Sequence, residues 1–260
     1  MGNFRTITKP LFNFALACSL SLGLTSPLNA RNAATVLSEI KEAIEEIANS
    51  ANQQDLERLM SHYSPEFNTS DGLTYSNLPE ALKQVWQQYP RLRYKTEIKS
   101  WEREGDRVVV ETATYMQGMK RDRSRTIRLS ANVRSRQYFL DGKIVEQEIL
   151  SERTQIDSGK NPPKIRINLP KKVRIGQRFS FDTIVREPLG EEVLFGAAIE
   201  EKISSKLYLE PTAAELKPLP AGGIYQLVEA PLEPGNLWYS AIIARSDGIT
   251  IVTQRVNVED

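Results

Sequence analysis

The residues able to do acid–base, nucleophilic or metal chemistry are few. The chain has one histidine, His62, and one cysteine, Cys18. Cys18 falls in an amino-terminal apolar run that reads as removable, so disulfides, thiolate catalysis and cysteine-based zinc sites are excluded from the mature protein. His62 is the obvious proton-transfer candidate. On a helix over 55–63 it lies roughly 110° from the middle of the face made by Leu56, Met60 and Tyr63, which places it at an edge or in solvent. Asp71 sits in the turn from Asn68 to Gly72, where an aspartate serves turn geometry. No catalytic residue, metal site or cofactor is assigned. The run Lys120, Arg121, Asp122, Arg123, Ser124, Arg125, with Arg128, Arg134 and Arg136 beyond it, is a candidate anion patch for acidic partners or lipid head groups; a charged connection between strands is more often only solvated.

The amino terminus sets the expected compartment. Arg5 and Lys9 precede an apolar run from Leu11 to Leu24, followed by Thr25, Ser26, Pro27 and the small residue Ala30. This is the pattern of an export signal at 1–30, cut after Ala30, with a mature chain beginning near Arg31 in the periplasm or another extracytoplasmic compartment. The run is too short for a stable span, so no transmembrane segment is expected after signal removal. A lipoprotein reading would place the lipid on Cys18. Ala15 stands where such a site expects Leu, and Ser19 to Leu24 continues the apolar run in place of a polar tether, which argues against anchoring. With 34 basic and 33 acidic residues, the chain has no charge excess that would favour nucleic acid.

Periodicity gives the elements that must position any site. Val36, Leu37, Ile40, Ala43, Ile44, Ile47 and Ala48 recur at helical steps, with Glu39, Lys41, Glu42, Glu45 and Glu46 opposite. A second helix is expected from Asp55 to Tyr63, stopped by Ser64 and Pro65, and a third from Pro79 to Tyr89, stopped by Pro90. After Pro90 the pattern alternates. Strands are predicted over 91–101, 107–117, 126–138 and 143–152, with Asp141-Gly142 as a tight hairpin turn. Three helices thus precede any strand, and the block is α+β.

That order, with the stretch Asp55-Leu56-Glu57-Arg58-Leu59-Met60-Ser61-His62-Tyr63-Ser64-Pro65-Glu66-Phe67, resembles the nuclear-transport-factor-two-like superfamily, which includes the SnoaL-like proteins. The resemblance covers about 33–155. It implies a cone: a curved antiparallel sheet wrapped around helices, with a cavity open at one end. The family includes enzymes, transport factors and non-catalytic binding or assembly domains, so fold does not fix activity. Its isomerases and dehydratases place an Asp, His or Tyr inside the cone, and no inward pair of that kind emerges from these strands. Tyr63, Trp86, Tyr89, Tyr94 and Tyr115 fall on elements expected to line the cone. They are candidates to wall a pocket for an apolar ligand, and core packing accounts for them as well.

From Ser158 to Pro163 the chain reads as a linker, so that 31–157 forms the first domain and 164–260 the second. Beyond the linker, apolar runs over 165–169, 178–185, 193–201, 206–209, 224–229, 237–244 and 249–258 alternate with turn signals such as Gly222-Gly223 and Asp247-Gly248. About seven strands at this spacing predict a β-sandwich. Pro234-Gly235-Asn236-Leu237-Trp238-Tyr239 resembles the approach to a late immunoglobulin-like strand, with Tyr239 near the position of a tyrosine corner and no cysteine pair. The expected function is that of an exported, non-catalytic binding or assembly module acting through protein contacts or a small apolar ligand in the cone. An isomerase, dehydratase or cyclase and an envelope adhesion protein are the alternatives. Both parities of 107–117 carry apolar residues, so the outer face of this sheet is expected to be covered by a second copy, as a homodimer, or by the sandwich.

Overall fold

The computed structural model describes residues 27–122, 125–187, 192–209, 213–219 and 222–260. The export signal expected over 1–30 lies mostly outside them, as does Arg123. Residues 1–37 and 38–260 are separate units. Helix α1 (Pro27–Gln53) supplies the described part of the first unit and the start of the second, and passes through the expected cut after Ala30.

Within the second unit, α1 is followed by α2 (Leu56–Met60), β1 (Tyr63–Thr69) and α3 (Leu78–Gln88). Asp55 caps α2, its carboxylate accepting from the Arg58 N–H. The second helix is therefore shorter than periodicity predicts. Tyr63, Ser64 and Pro65 belong to a strand that pairs in parallel with β5 (Lys143–Gly159), so a strand does come before the third helix. The helical match of Tyr63 to Leu56 and Met60 is also a match to the first inward position of β1, and pairing with a distant strand decides between them.

Four long antiparallel strands follow: β2 (Arg93–Glu104), β3 (Arg107–Asp122), β4 (Arg125–Leu140) and β5 (Lys143–Gly159). The β4–β5 turn places Asp141 at φ +49° and Gly142 at φ +75°, the two left-handed residues that a two-residue hairpin loop requires. Register shifts interrupt β2 near Lys99 and the β4–β5 ladder at Arg134/Ser135 and Tyr138/Phe139. Such bulges bend a sheet, and these lie in the strands that face α1 and α3.

The remaining elements are β6 (Ile165–Asn168), β7 (Lys172–Arg174), β8 (Arg178–Val185), β9 (Phe195–Lys202), α4 (Ser205–Leu209), β10 (Lys217–Pro218), β11 (Gly223–Glu229), β12 (Gly235–Arg245) and β13 (Gly248–Glu259). The run at 206–209, expected as a strand, is helical. A 10-stranded sheet runs in the order β10-β9-β12-β13-β5-β4-β3-β2, with β1 added beside β5 and β7 beside β13, and a three-stranded sheet in the order β11-β8-β6. The two face each other across a core of Phe179, Phe181, Leu194, Ile224, Tyr239, Ile243 and Val256, which makes this part a β-sandwich. Tyr239 meets Phe179 and Phe181 edge-on, with ring centroids 5.6 and 5.5 Å away.

The two halves share the large sheet. β13 pairs with the second part of β5, from Gly248–Gly159 to Gln254–Arg153, so Ser158 and Gly159 are strand residues within the stretch expected to be a linker. Gly159 has φ +100°, and a Cβ there would lie 2.3 Å from the Asp247 carbonyl oxygen. The glycine that reads as a flexible joint is instead required by close packing against the β12–β13 hairpin.

Candidate functional site

Helices α1 and α3 pack over the concave arrangement of β1 to β5 and leave a cavity of about 380 Å³. Its walls follow from the periodicities already described. Helix α1 turns Ile44, Ile47, Ala48 and Ala51 toward it, and α3 turns Leu78, Ala81, Leu82 and Val85. The sheet contributes Tyr94, Thr96, Thr114, Met116, Val133, Ser135, Gln137, Gln147 and Ile149, the inward parity of each strand. The side-chain amide of Asn52 pins α1 to the edge strand, donating to the Tyr94 carbonyl at 2.9 Å and accepting from its N–H at 2.8 Å. Trp86 on α3 donates its indole N–H to the Tyr94 hydroxyl at 3.1 Å. The wall is thereby held by groups that do not themselves fill the space.

One end of the cavity is polar. Asp71, Glu152 and Tyr208 line it, and behind them lies Arg255, whose side chain is fully buried. Arg255 donates from Nη1 to Asp71 Oδ1 at 2.9 Å and from Nη2 to Asp71 Oδ2 at 2.5 Å, a bidentate pair. Tyr208 donates to Asp71 Oδ2 at 2.8 Å. Glu152 Oε2 accepts from Trp238 Nε1 at 3.0 Å and from Arg255 Nη2 at 3.3 Å. The Tyr208 ring stands edge-on to Trp238, with centroids 4.9 Å apart. The sandwich half supplies Tyr208, Trp238 and Arg255; the α+β half supplies Asp71 and Glu152.

Burial raises the Glu152 pKa above the ordinary carboxylate value, overriding the nearby Arg255 charge and the Trp238 hydrogen bond. Burial opposes the charge on Arg255, but its hydrogen bonds to Asp71 and the charges of Asp71 and Glu152 hold its pKa above the ordinary value. Tyr208 is raised by burial first, then by the two carboxylates. Tyr63 and Tyr94 are pushed up to about 12 by burial and remain neutral hydroxyls. The end wall can therefore accept hydrogen bonds, balance a positive charge, or exchange a proton through Glu152.

Of the aromatic residues selected from sequence, Tyr63 and Tyr94 line the cavity. Trp86 and Tyr89 are buried beside it as core. Tyr115 is 37% exposed on the opposite face of β3 from Thr114 and Met116. His62 does not line the cavity, and burial lowers its pKa. Asp71 does follow a turn, yet its side chain is 2% exposed and bonded to a residue 184 positions away, a role that its local context of Ser70 and Gly72 does not disclose.

The basic candidates lie elsewhere. Lys120 and Arg121 are strand residues paired with Ile127 and Thr126, and Lys120 Nζ sits 5.1 Å from the centre of the Tyr89 ring. Arg125 opens β4 opposite Asp122, and Arg128 borders a shallow groove with Arg91 and Arg93. On the outer face of the sheet, Arg136 bridges Glu111 and Glu148, Arg134 also reaches Glu111, and Glu97 bonds Lys95 and Lys99. The apolar members of that face, Val109 and Ala113, are buried; the cross-strand neighbours of Ala113 are Glu97 and Arg134. Long charged side chains thus stand beside Ala113 on this face. Among the described residues no cluster of three or more His, Cys, Asp or Glu is placed to hold a metal ion, and no helix is long and apolar enough to cross a membrane.

Residues 160–259 match a family described as a domain of unknown function (DUF8623). No curated protein matches the chain. Among solved structures the chain is similar to AclR from Streptomyces galilaeus, at 22% identity over 43% of this chain and 87% of that one, with a TM-score of 0.33. It is also similar to an LEH-like epoxide hydrolase of M. tuberculosis, at 14% identity over 43% of this chain and 81% of that one, with a TM-score of 0.31. An NTF2-like protein of unknown function from Burkholderia pseudomallei K96243 is 13% identical over 43% of this chain and 88% of that one, with a TM-score of 0.31. Each similarity covers less than half of this chain.

Proposed function

We propose that this protein is an exported binding module that takes up a small, mostly apolar molecule in the cavity of its α+β half. The observation that carries the reading is the cavity itself: about 380 Å³, walled by aliphatic residues of α1 and α3, with polar groups gathered at one end. Protein interiors normally pack without voids of this size, because unfilled space forfeits dispersion contacts. A largely apolar pocket of a few hundred Å³ with a few convergent polar groups is the ordinary form of a small-molecule site. The export part rests on the pattern of Arg5, Lys9 and Leu11 to Leu24.

Titration of the full chain with the neutral fluorophore N-phenyl-1-naphthylamine tests the binding reading. Saturable emission enhancement is expected, and Ala81→Trp, which fills the space from α3, should abolish it. Absence of saturable binding, or unchanged binding to the filled variant, overturns the proposal.

One observation favours a second reading, proton transfer. Glu152 is a carboxylate of raised pKa at the end of an apolar cavity, the setting in which such a group serves as a general acid or base. Under this reading the protein should speed deuterium incorporation from D2O next to the carbonyl of cyclohexanone, and Glu152→Gln should not. Equal rates for the two remove it.

A further inference from the structure

We infer that the molecule taken up in the cavity carries a protonated amine, and that this ammonium pairs with the free oxygen of Glu152. The inference rests on the binding reading above and adds the chemistry of the ligand's polar end.

Asp71 is fully engaged: both its oxygens face Arg255, and Oδ2 also accepts from Tyr208. One carboxylate and one guanidinium thus cancel. Glu152, when ionised, is the surplus negative charge, touched by Arg255 only at 3.3 Å, through the nitrogen that already serves Asp71 at 2.5 Å. The groups facing it are Arg255, Asp71, Tyr208 and Trp238, and none adds a second positive charge. Its Oε2 takes both available donors, so Oε1 has no donor among the described residues.

A second acceptor of the wall, opposite Gln147 and four positions along β4 from the residue paired with Glu152, also lacks a donor. Gln137 is 93% buried and lines the cavity; its Nε2 donates to Gln147 Oε1 at 3.4 Å, and its own Oε1 has no hydrogen-bond partner. The wall therefore offers acceptors that lack donors, and a buried acceptor without a donor is costly. A ligand with a protonated amine relieves the deficit at Glu152; a carboxylic acid would increase it.

Calorimetric titration of the full chain with n-octylammonium, 1-octanol and octanoate separates the outcomes, since the three share one alkyl chain. The ammonium should bind at least about tenfold more tightly than the alcohol, as expected for a charge-assisted bond in a desolvated site, and octanoate should bind most weakly. Glu152→Gln should bring the ammonium and the alcohol to within about twofold of each other. The wild-type ranking stands without that variant, and near-ultraviolet circular dichroism shows whether the variant retains its aromatic packing. Equal binding of ammonium and alcohol to the wild type, or preference for octanoate, overturns this inference and leaves the apolar-site reading intact. Failure of all three probes together with the neutral fluorophore overturns that reading instead.

Discussion

The two halves of the described molecule use similar residues to opposite ends. In the sandwich, Phe179, Phe181 and Tyr239 meet edge to face, and Leu194, Ile243 and Val256 are almost wholly buried around them, so the space between the sheets is filled. In the α+β half, Tyr63, Tyr94, Met116 and Val133 face a void. Composition does not separate the halves; geometry does. Two sheets close on each other through interdigitating side chains, whereas a bulged sheet bending around helices leaves an interior that the alanines of α1 and α3 are too small to fill. The sandwich also reaches across the shared sheet to complete the polar end of that void with Arg255, Tyr208 and Trp238.

The comparison breaks most severely at Arg255. Replacement with Met leaves Asp71 buried without its cation, at the seam of the two halves. Arg255→Met should cost about 3–5 kcal/mol of unfolding free energy in urea, as for other buried pairs that lose one partner. A loss near zero would mean that solvent reaches Asp71.

Truncations in the two interiors should then differ. Phe181→Ala opens a hole in a filled core and should cost about 3–5 kcal/mol. Val133→Ala enlarges a space already empty on one side, forfeits fewer contacts, and should cost about 1 kcal/mol. Equal costs per buried carbon would show that the cavity is closed in solution.

The pH response should be smaller and traceable to one group. The Glu152 pKa is raised on folding, so the native state binds more protons than the unfolded chain once pH exceeds the ordinary value of 4.5. The stabilising contribution is fully present below that value and is lost as pH rises through the folded pKa. Unfolding midpoints of the wild type should therefore fall across this window relative to those of Glu152→Gln, whose curve lacks this component. Parallel curves would place Glu152 in water.

Much of this architecture is legible in local pattern. The heptad-like spacing of Val36 to Ala48, the proline at the start of α3, the Asp141-Gly142 turn and the alternation within β3 and β4 each depend on residues a few positions apart. What escapes such a reading depends on distant partners. Tyr63 to Pro65 join a strand because β5 is available to pair with them, and Ser158-Gly159 are sheet because β13 lies alongside. The site shows the same division. Tyr63 and Tyr94 can be selected by periodicity, but Asp71 and Arg255 are 184 residues apart and nothing in either neighbourhood announces the other. Arg255 stands in a strand that also carries Thr250, Thr253, Gln254 and Asn257, so its neighbourhood does not mark it as a buried charge in need of a partner.

On the proposed reading the α+β half is hollow and takes a ligand, while the sandwich is filled and does not. Methyl-labelled NMR spectra of the full chain, recorded with and without n-octylammonium, test it most directly. Resonances of Ile47, Leu82, Val133 and Ile149 should shift in a saturable manner, while those of Leu194, Ile224, Ile243 and Val256 stay in place. Shifts confined to the sandwich core, or no saturable shift in the cavity wall, would contradict the account.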